Sequence, residues 1–339
     1  MNTRTSSNVS GSVVYEEGLQ IVDDINSDGI KDVIFGTGGN NELVYAVSGR
    51  NGQILWTYGD SSITSDGDIN GISISKDYSG DGIKDVLIAA TGEGEGNGRH
   101  AAICVNILNG NQIFVASQLG HFTYSAAATT SGGAISFSSN GGPWGINGFS
   151  NNGSYTWTYN LTSAGWHLEE LPDVNSDGIT DIAAFVGFSG TTAVISGSDG
   201  SQIWTYNQGS SVNGYFRLAQ DIAGDGFPDL ISSGPRILHR IDSRSSNIFW
   251  TAPLDGNYIH GVDELTDVDG DCVKDVVAGT QNSNLYVVSG DSGRTLFTYN
   301  FGSATTNTVE QVSRLKSIDG NNSSEFLGGS RTGKLICFS

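Results

Sequence analysis

Five short stretches of this 339-residue chain carry side-chain oxygens at one fixed spacing. They are DINSDGIKD (24–32), DYSGDGIKD (77–85), DVNSDGITD (173–181), DIAGDGFPD (221–229) and DVDGDCVKD (267–275). The oxygens fall at positions 1, 3, 5 and 9, and Gly fills position 6 in four copies, where the chain has to turn sharply. A hard dication that takes roughly six to eight oxygens is wrapped by this spacing once the backbone carbonyl of position 7 is added. The expected calcium ligands are Asp24, Asn26, Asp28 and Asp32 with the Ile30 carbonyl, then Asp77, Ser79, Asp81 and Asp85 with Ile83. Next come Asp173, Asn175, Asp177 and Asp181 with Ile179, and Asp221, Asp225 and Asp229 with Phe227. The last set is Asp267, Asp269, Asp271 and Asp275 with Val273. Affinity follows carboxylate count, so the 267 loop is expected to bind tightest, while Ala223 costs the 221 loop one ligand. Four to five Ca²⁺ sites are expected. The runs that follow, VIFG, VLIAA, IAAF, LISS and VVAG, read as strands, unlike the helix that follows a helix–loop–helix calcium site.

The loops start 53, 96, 48 and 46 residues apart, and 96 is two periods, so a unit between 120 and 161 has lost its acidic loop. A seventh unit starts near Ser317, where SIDGNNSSE keeps only Asp319, Asn321 and Glu325. An aromatic in a β-rich run recurs after each loop: Trp56, Phe114, Trp157, Trp204, Trp250 and Phe297. These aromatics are expected to be core between neighbouring units. Each unit reads as four short strands, the last two joined by Gly-rich turns such as GRNGQ, GSDGS and GDSGR. The expectation is an all-β, seven-bladed β-propeller forming a single domain over 1–339, with blades starting near 19, 72, 121, 167, 215, 261 and 311. The N-terminal strand 11–16, including Tyr15, is expected to complete the last blade and close the ring.

Composition narrows the partners. Asp and Glu number 36 against 16 Lys and Arg, and the formal net charge is −20. That balance lacks the basic footprint of a nucleic-acid binder. The acidic loops hold 16 of the 36 carboxylates, so much of the charge is assigned to metal rather than to a partner. No apolar run approaches bilayer-spanning length, and no secretory signal is read in 1–15, so membrane insertion is not expected. Cys104, Cys272 and Cys337 give no disulfide framework.

The loops with their following apolar strands and GT or GG, as in DVIFGTGG (32–39) and DVVAGT (275–280), resemble the FG-GAP repeats of the integrin α-subunit propeller. VYAVSGRNGQILWTY (44–58), TAVISGSDGSQIWTY (192–206) and LYVVSGDSGRTLFTY (285–299) are similar to the PQQ-type propeller repeat. The first resemblance implies structural calcium at the blade loops and a role in adhesion or recognition. The second would allow a quinone dehydrogenase.

No nucleophile elbow, HExxH, CxxC or Walker motif is present. A candidate ligand face is drawn from connections rich in aromatics and His, with His121, Trp166, His167, Tyr215, Tyr258 and His260, and from the loop ending at Trp144. The packing alternative for these residues stays open. The resulting expectation is a non-catalytic extracellular or cell-surface module that binds a glycan or a protein, excised from a larger secreted chain. The sequons at Asn8, Asn152, Asn160, Asn321 and Asn322 agree with such a surface. The alternative is a polysaccharide lyase or hydrolase using His121, His167 or His260 beside Glu169, Glu170 or Asp263. A third reading is a structural spacer.

Overall fold

A computed structural model of the chain describes residues 18–37, 43–59, 68–90, 99–117, 122–138, 142–187, 189–209, 215–256, 259–302, 308–315 and 325–339. Every named element within them is a β-strand. Blade 1 is the meander β1 (Leu19–Val22), β2 (Asp32–Gly36), β3 (Val44–Val47) and β4 (Ile54–Tyr58). Blade 2 is β5 (Ile69–Ser73), β6 (Val86–Ala90), β7 (Ala101–Val105) and β8 (Gln112–Ser117). Blade 3 follows with β9 (Ala126–Thr129), β10 (Gly132–Ser138), β11 (Trp144–Ser150) and β12 (Tyr155–Leu161). Blade 4 is β13 (Gly165–Leu171), β14 (Asp181–Val186), β15 (Thr191–Ile195) and β16 (Gln202–Asn207). Blade 5 is β17 (Phe216–Ala219), β18 (Asp229–Gly234), β19 (Ile237–Ile241) and β20 (Ile248–Pro253). Blade 6 is β21 (Ile259–Glu264), β22 (Val276–Thr280), β23 (Asn284–Val288) and β24 (Thr295–Asn300). Blade 7 shows β25 (Val309–Arg314), β26 (Phe326–Ser330) and β27 (Leu335–Phe338). Its expected fourth strand, 11–16, lies outside the described residues.

The chain divides into two compact units, Met1–Ala184 with Ile195–Ile203, and Phe185–Val194 with Trp204–Ser339. Blades 1 to 3 belong to the first and blades 5 to 7 to the second, while the strands of blade 4 are divided between them.

Burial follows strand position. In blade 2 the middle strands β6 and β7 are buried at every residue, and the outer strand β8 alternates exposed and covered positions. That contrast is why the middle strands are unbroken apolar runs and the outer strands are mixed: a middle strand is covered on both faces, an outer one on a single face. In the first unit, the apolar cores pair blade 1 with blade 2 and blade 2 with blade 3. In the second unit they pair blade 5 with blade 6 and blade 6 with blade 7.

The tryptophans occupy the joints. In the first unit Trp56 Nε1 donates to Ile107 O at 2.7 Å and Trp157 Nε1 to Gly197 O at 3.1 Å, each in the following blade. In the second unit Trp204 bonds Ser243 O and Trp250 bonds Gly290 O, both at 2.7 Å. Trp56, Trp157 and Trp250 lie on the turn glycines Gly110, Gly200 and Gly293 of the blades they meet, and a Cβ on Gly110 would stand 2.8 Å from Trp56; the blade 5 turn that Trp204 meets has Ser246 in place of glycine. Gly110 therefore serves twice: its φ of 71° is left-handed, and it leaves room for the indole. Tyr58 Oη donates to Gln112 Oε1 at 2.7 Å and Tyr159 Oη to Gln202 Oε1 at 2.9 Å, which accounts for the Gln that opens these outer strands. Phe297 departs from the pattern: it is 44% exposed, touching Phe338 edge-on at 6.0 Å, while the turn glycine of blade 7, Gly333, has open space where a Cβ would go.

Candidate metal centre

All five acidic loops lie within the described residues, and each links the first strand of its blade to the second. Three hydrogen bonds recur in every copy and shape the nine residues. The position 6 N–H reaches the position 1 carboxylate at 2.6, 2.8, 2.7, 2.7 and 2.8 Å in chain order. The position 7 N–H reaches the position 5 carboxylate at 3.0, 2.9, 2.9, 3.0 and 2.8 Å. The position 2 N–H reaches the closing position 9 carboxylate at 2.8, 2.8, 2.8, 3.1 and 2.7 Å. An ionised carboxylate accepts about four hydrogen bonds, so these contacts hold the loop and leave lone pairs for an ion.

Two left-handed residues make the wrap possible. Position 6 is Gly29, Gly82, Gly178, Gly226 or Cys272, with φ between 71° and 92°. Position 4 is left-handed as well, at Ser27, Gly80, Ser176, Gly224 and Gly270. The sequence reading explained position 6 and missed position 4, although the signal was there in its unbroken Ser-or-Gly choice.

Electrostatics differ from one end of a loop to the other. Backbone N–H groups of Gly82, Gly226 and Cys272 hold the opening carboxylates Asp77, Asp221 and Asp267 below the usual carboxylate range. The closing Asp85, Asp181 and Asp275 are fully buried, and desolvation pushes them up against the opposing pull of their N–H donors.

Residues far along the chain complete the loops. Ser48, Ser196 and Ser289 hydroxyls and the Asn106 amide donate to the position 5 carboxylates Asp28, Asp177, Asp271 and Asp81. Gly49, Gly197 and Gly290 give their N–H to the closing Asp32, Asp181 and Asp275 at 3.0, 3.2 and 3.0 Å. A side chain does not fit at these three glycines as they stand: a Cβ on Gly290 would lie 1.8 Å from Lys274 O. Two exposed guanidiniums lean over loops: Arg50 bonds the Asp28 carbonyl, and Arg294 Nη2 lies 3.3 Å from Asp269 Oδ2.

Among the described residues, one group of acidic side chains gathers ligand atoms as a metal would need them. Asp267, Asp269 and Asp275 each bring one carboxylate oxygen within 4.8 Å of the others. All three are hard oxygen donors, a set that fits calcium. The fourth carboxylate of that loop, Asp271, is outside this trio and is bonded by Val273 N and Ser289 Oγ.

The residues assigned to a ligand face have mixed surroundings. In the first unit His167 is 4% exposed, Trp166 stacks on Tyr124 at 5.3 Å, and Trp144, half-buried, opens β11 instead of belonging to a loop. In the second unit Tyr215 and His260 are each 6% exposed, and burial pulls the His260 imidazole down to about 4. His121 and Tyr258 lie outside the described residues. His167 Nε2 stands 3.7 Å from Glu169 Oε2, one of the acids named for an acid–base pair.

No protein-family model and no curated protein matches the sequence. Solved structures do match in shape. BBS1N in complex with ARL6DN has a TM-score of 0.57 at 11% identity, over 97% of this chain and 93% of that one. The C-terminal WD40 domain of Sif2 has a TM-score of 0.61 at 12% identity, covering 94% and 79%. The fold is a seven-bladed β-propeller. The computationally designed Ika8 protein gives a TM-score of 0.64 at 13% identity, covering 95% and 82%. At these identities the likeness carries the fold alone.

Proposed function

We propose that this propeller is a calcium-stabilised, non-catalytic recognition or adhesion module of an extracellular protein, binding a protein or a glycan. The observation that carries the reading is the convergence of Asp267, Asp269 and Asp275 in a loop whose backbone pattern is repeated elsewhere in the chain. A bound Ca²⁺ would neutralise these carboxylates and tie the first strand of the blade to the second. The residues to hold it in blade 6 are Asp267, Asp269 and Asp275, with Asp271 and the Val273 carbonyl completing the set the spacing predicts. The resemblance to FG-GAP repeats supports the same reading. Loops on a rigid β scaffold are well suited to recognition. A protein partner is supported by the similar BBS1N, solved with ARL6DN.

One observation favours a second reading, a lyase or hydrolase: the approach of His167 to Glu169. The burial of His167 and His260 weighs toward a core role for both rings.

Glycan and protein arrays probed with the full chain at about 2 mM calcium, a level suited to extracellular modules, and again in chelator, separate these readings. Saturable binding in calcium without unsaturated or shortened sugar products is the expected result. Turnover that is lost in His167→Ala would replace it with the enzyme reading, and an array blank in both conditions would favour the spacer.

A further inference from the structure

The acidic loop of blade 5 is completed by a different group from those of blades 1, 4 and 6. It also differs from that of blade 2, where Ile107 stands at the glycine's place and, among the described residues, Asp85 accepts only from its own loop, from Tyr78 N, Ser79 N and Ser79 Oγ. In blades 1, 4 and 6 the closing carboxylate takes an N–H from Gly49, Gly197 or Gly290. Chain register puts Ser243 at that place in blade 5. The closing Asp229 instead accepts from Arg240 Nε at 2.8 Å on Oδ2, the oxygen that also takes Ile222 N. Arg240 pairs with Ile231, two residues beyond the closing Asp, and the same register in blades 1, 2 and 6 holds Ala46, Cys104 and Val287. An arginine has therefore been introduced where its sister strands carry small or apolar side chains.

The guanidinium is wholly buried, and its other nitrogens are also engaged. Nη1 donates to Gly290 O at 2.8 Å, and Nη2 donates to Gln220 O. A buried guanidinium persists only when it is paired and its donors are satisfied, and both conditions hold here. Arg50 and Arg294 differ: their side chains are 55% and 67% exposed, so each can leave its loop for water when an ion arrives. Arg240 has no such exit.

The rest of the loop agrees. Position 3 is Ala223, which offers no side-chain oxygen. The residue matching Ser48 and Ser289, whose hydroxyls reach position 5 in their blades, is Asp242, and its own carboxylate is bonded by Arg244 N and Ser245 Oγ. The donor set of this loop does not fit a calcium ion, because one ligand is missing and a fixed positive charge stands 2.8 Å from the closing one.

We infer that the blade 5 loop takes no metal: Arg240 is its resident cation, and the chain binds calcium at four acidic loops, not five. The inference rests on the calcium reading of the other loops and sets their number. Arg240 also ties the loop to blade 6, since Gly290, whose carbonyl it bonds, gives its N–H to Asp275.

Counting ions on the full chain by native mass spectrometry tests it. Wild type and Asp221→Asn should each carry four Ca²⁺, and Asp267→Asn three. Five ions on wild type, or the loss of one ion in Asp221→Asn, would overturn the inference. A second arm in chelator needs no metal: Arg240→Met, Asp229→Asn and the double variant are compared by thermal melting. The two single losses should exceed the loss in the double variant, whereas additive losses would show that the pair is no lock. If Arg240→Met does not fold, Asp221→Asn still decides by its ion count. An absence of ions from every loop would overturn the calcium reading and the count of four together, while the Arg240–Asp229 coupling in chelator would still show whether the guanidinium holds the loop.

Discussion

Blades 3 and 6 close the same junction, between their first and second strands, by opposite means. Blade 6 spends eleven residues, 265–275, with four carboxylates from Asp267 to Asp275, and buries the last of them. Blade 3 spends two residues, Thr130 and Ser131, between β9 and β10. No carboxylate enters that turn, and its glycines bring strands together so closely that a Cβ on Gly132 would stand 1.8 Å from Phe149 O. Its support comes from the blades beside it. Lys76 Nζ donates to Thr129 O and Thr130 O, both at 2.7 Å, and Tyr78 Oη donates to Gly132 O at 2.9 Å. Thr130 and Thr180 exchange N–H to hydroxyl bonds at 2.8 and 3.1 Å. Where blade 6 gathers carboxylates, which we propose hold an ion, blade 3 offers carbonyls to an ammonium, and blade 5 a carboxylate to the guanidinium of Arg240. Among the described residues, the two junctions whose acidic loop is lost or short of a ligand are each met by a cation of the chain itself, Lys76 in blade 3 and Arg240 in blade 5.

The largest effect expected from this contrast is the loss of calcium. Each ion bound only by the folded chain adds about 2.7 kcal/mol at a hundredfold excess over its Kd, so chelator should lower the melting temperature substantially. Calorimetry in calcium and in chelator measures it, and identical melts would remove calcium from the comparison.

A smaller effect isolates blade 3. Lys76→Met removes two hydrogen bonds from a charged donor and should cost about 1–3 kcal/mol. The loss should be equal in calcium and in chelator, because this junction holds no metal loop. A loss present only in calcium would show that blade 3 leans on a neighbouring ion site.

An effect confined to acid pH separates acid loss of metal from acid loss of packing. Burial pulls the imidazoles of His239 and His260 down to about 4, below the roughly 6.5 of an unfolded His. The unfolded chain then binds more protons between those values, so this part of the stability is present above pH 6.5 and is lost as pH falls toward 4. Denaturant melts in chelator should show the decline, and His239→Gln should flatten it. An unchanged slope in that variant would assign the decline to other groups.

Much of this architecture was legible because its signals are local. The five acidic loops, their strand-forming tails and the turn glycines Gly52, Gly200 and Gly293 all sit inside short windows, and the period of about 48 residues counts the blades even where blade 3 has lost its loop. The tryptophans Trp56, Trp204 and Trp250 were readable as joints for the same reason, since an apolar ring recurring once per unit has to pack against the next unit. The proposed ligand face was less legible. An aromatic or His before a strand looks the same whether it faces solvent or core, and His167, Tyr215 and His260 turn out to be buried.

What the amino-acid order determined by itself is each loop's own chemistry: a run of nine residues contains every side chain of the wrap, so its donors need no other part of the chain to be named. What only the tertiary structure decided is which loops are completed, and by what. Lys76 lies 53 residues from Thr129, and Arg240 lies 50 from Gly290. Those separations are about one blade period, and only the stacking of successive sheets turns them into bonds. A buried cation on a middle strand reads as an anomaly in the sequence, and its meaning comes from the carboxylate and the carbonyls that folding brings to meet it.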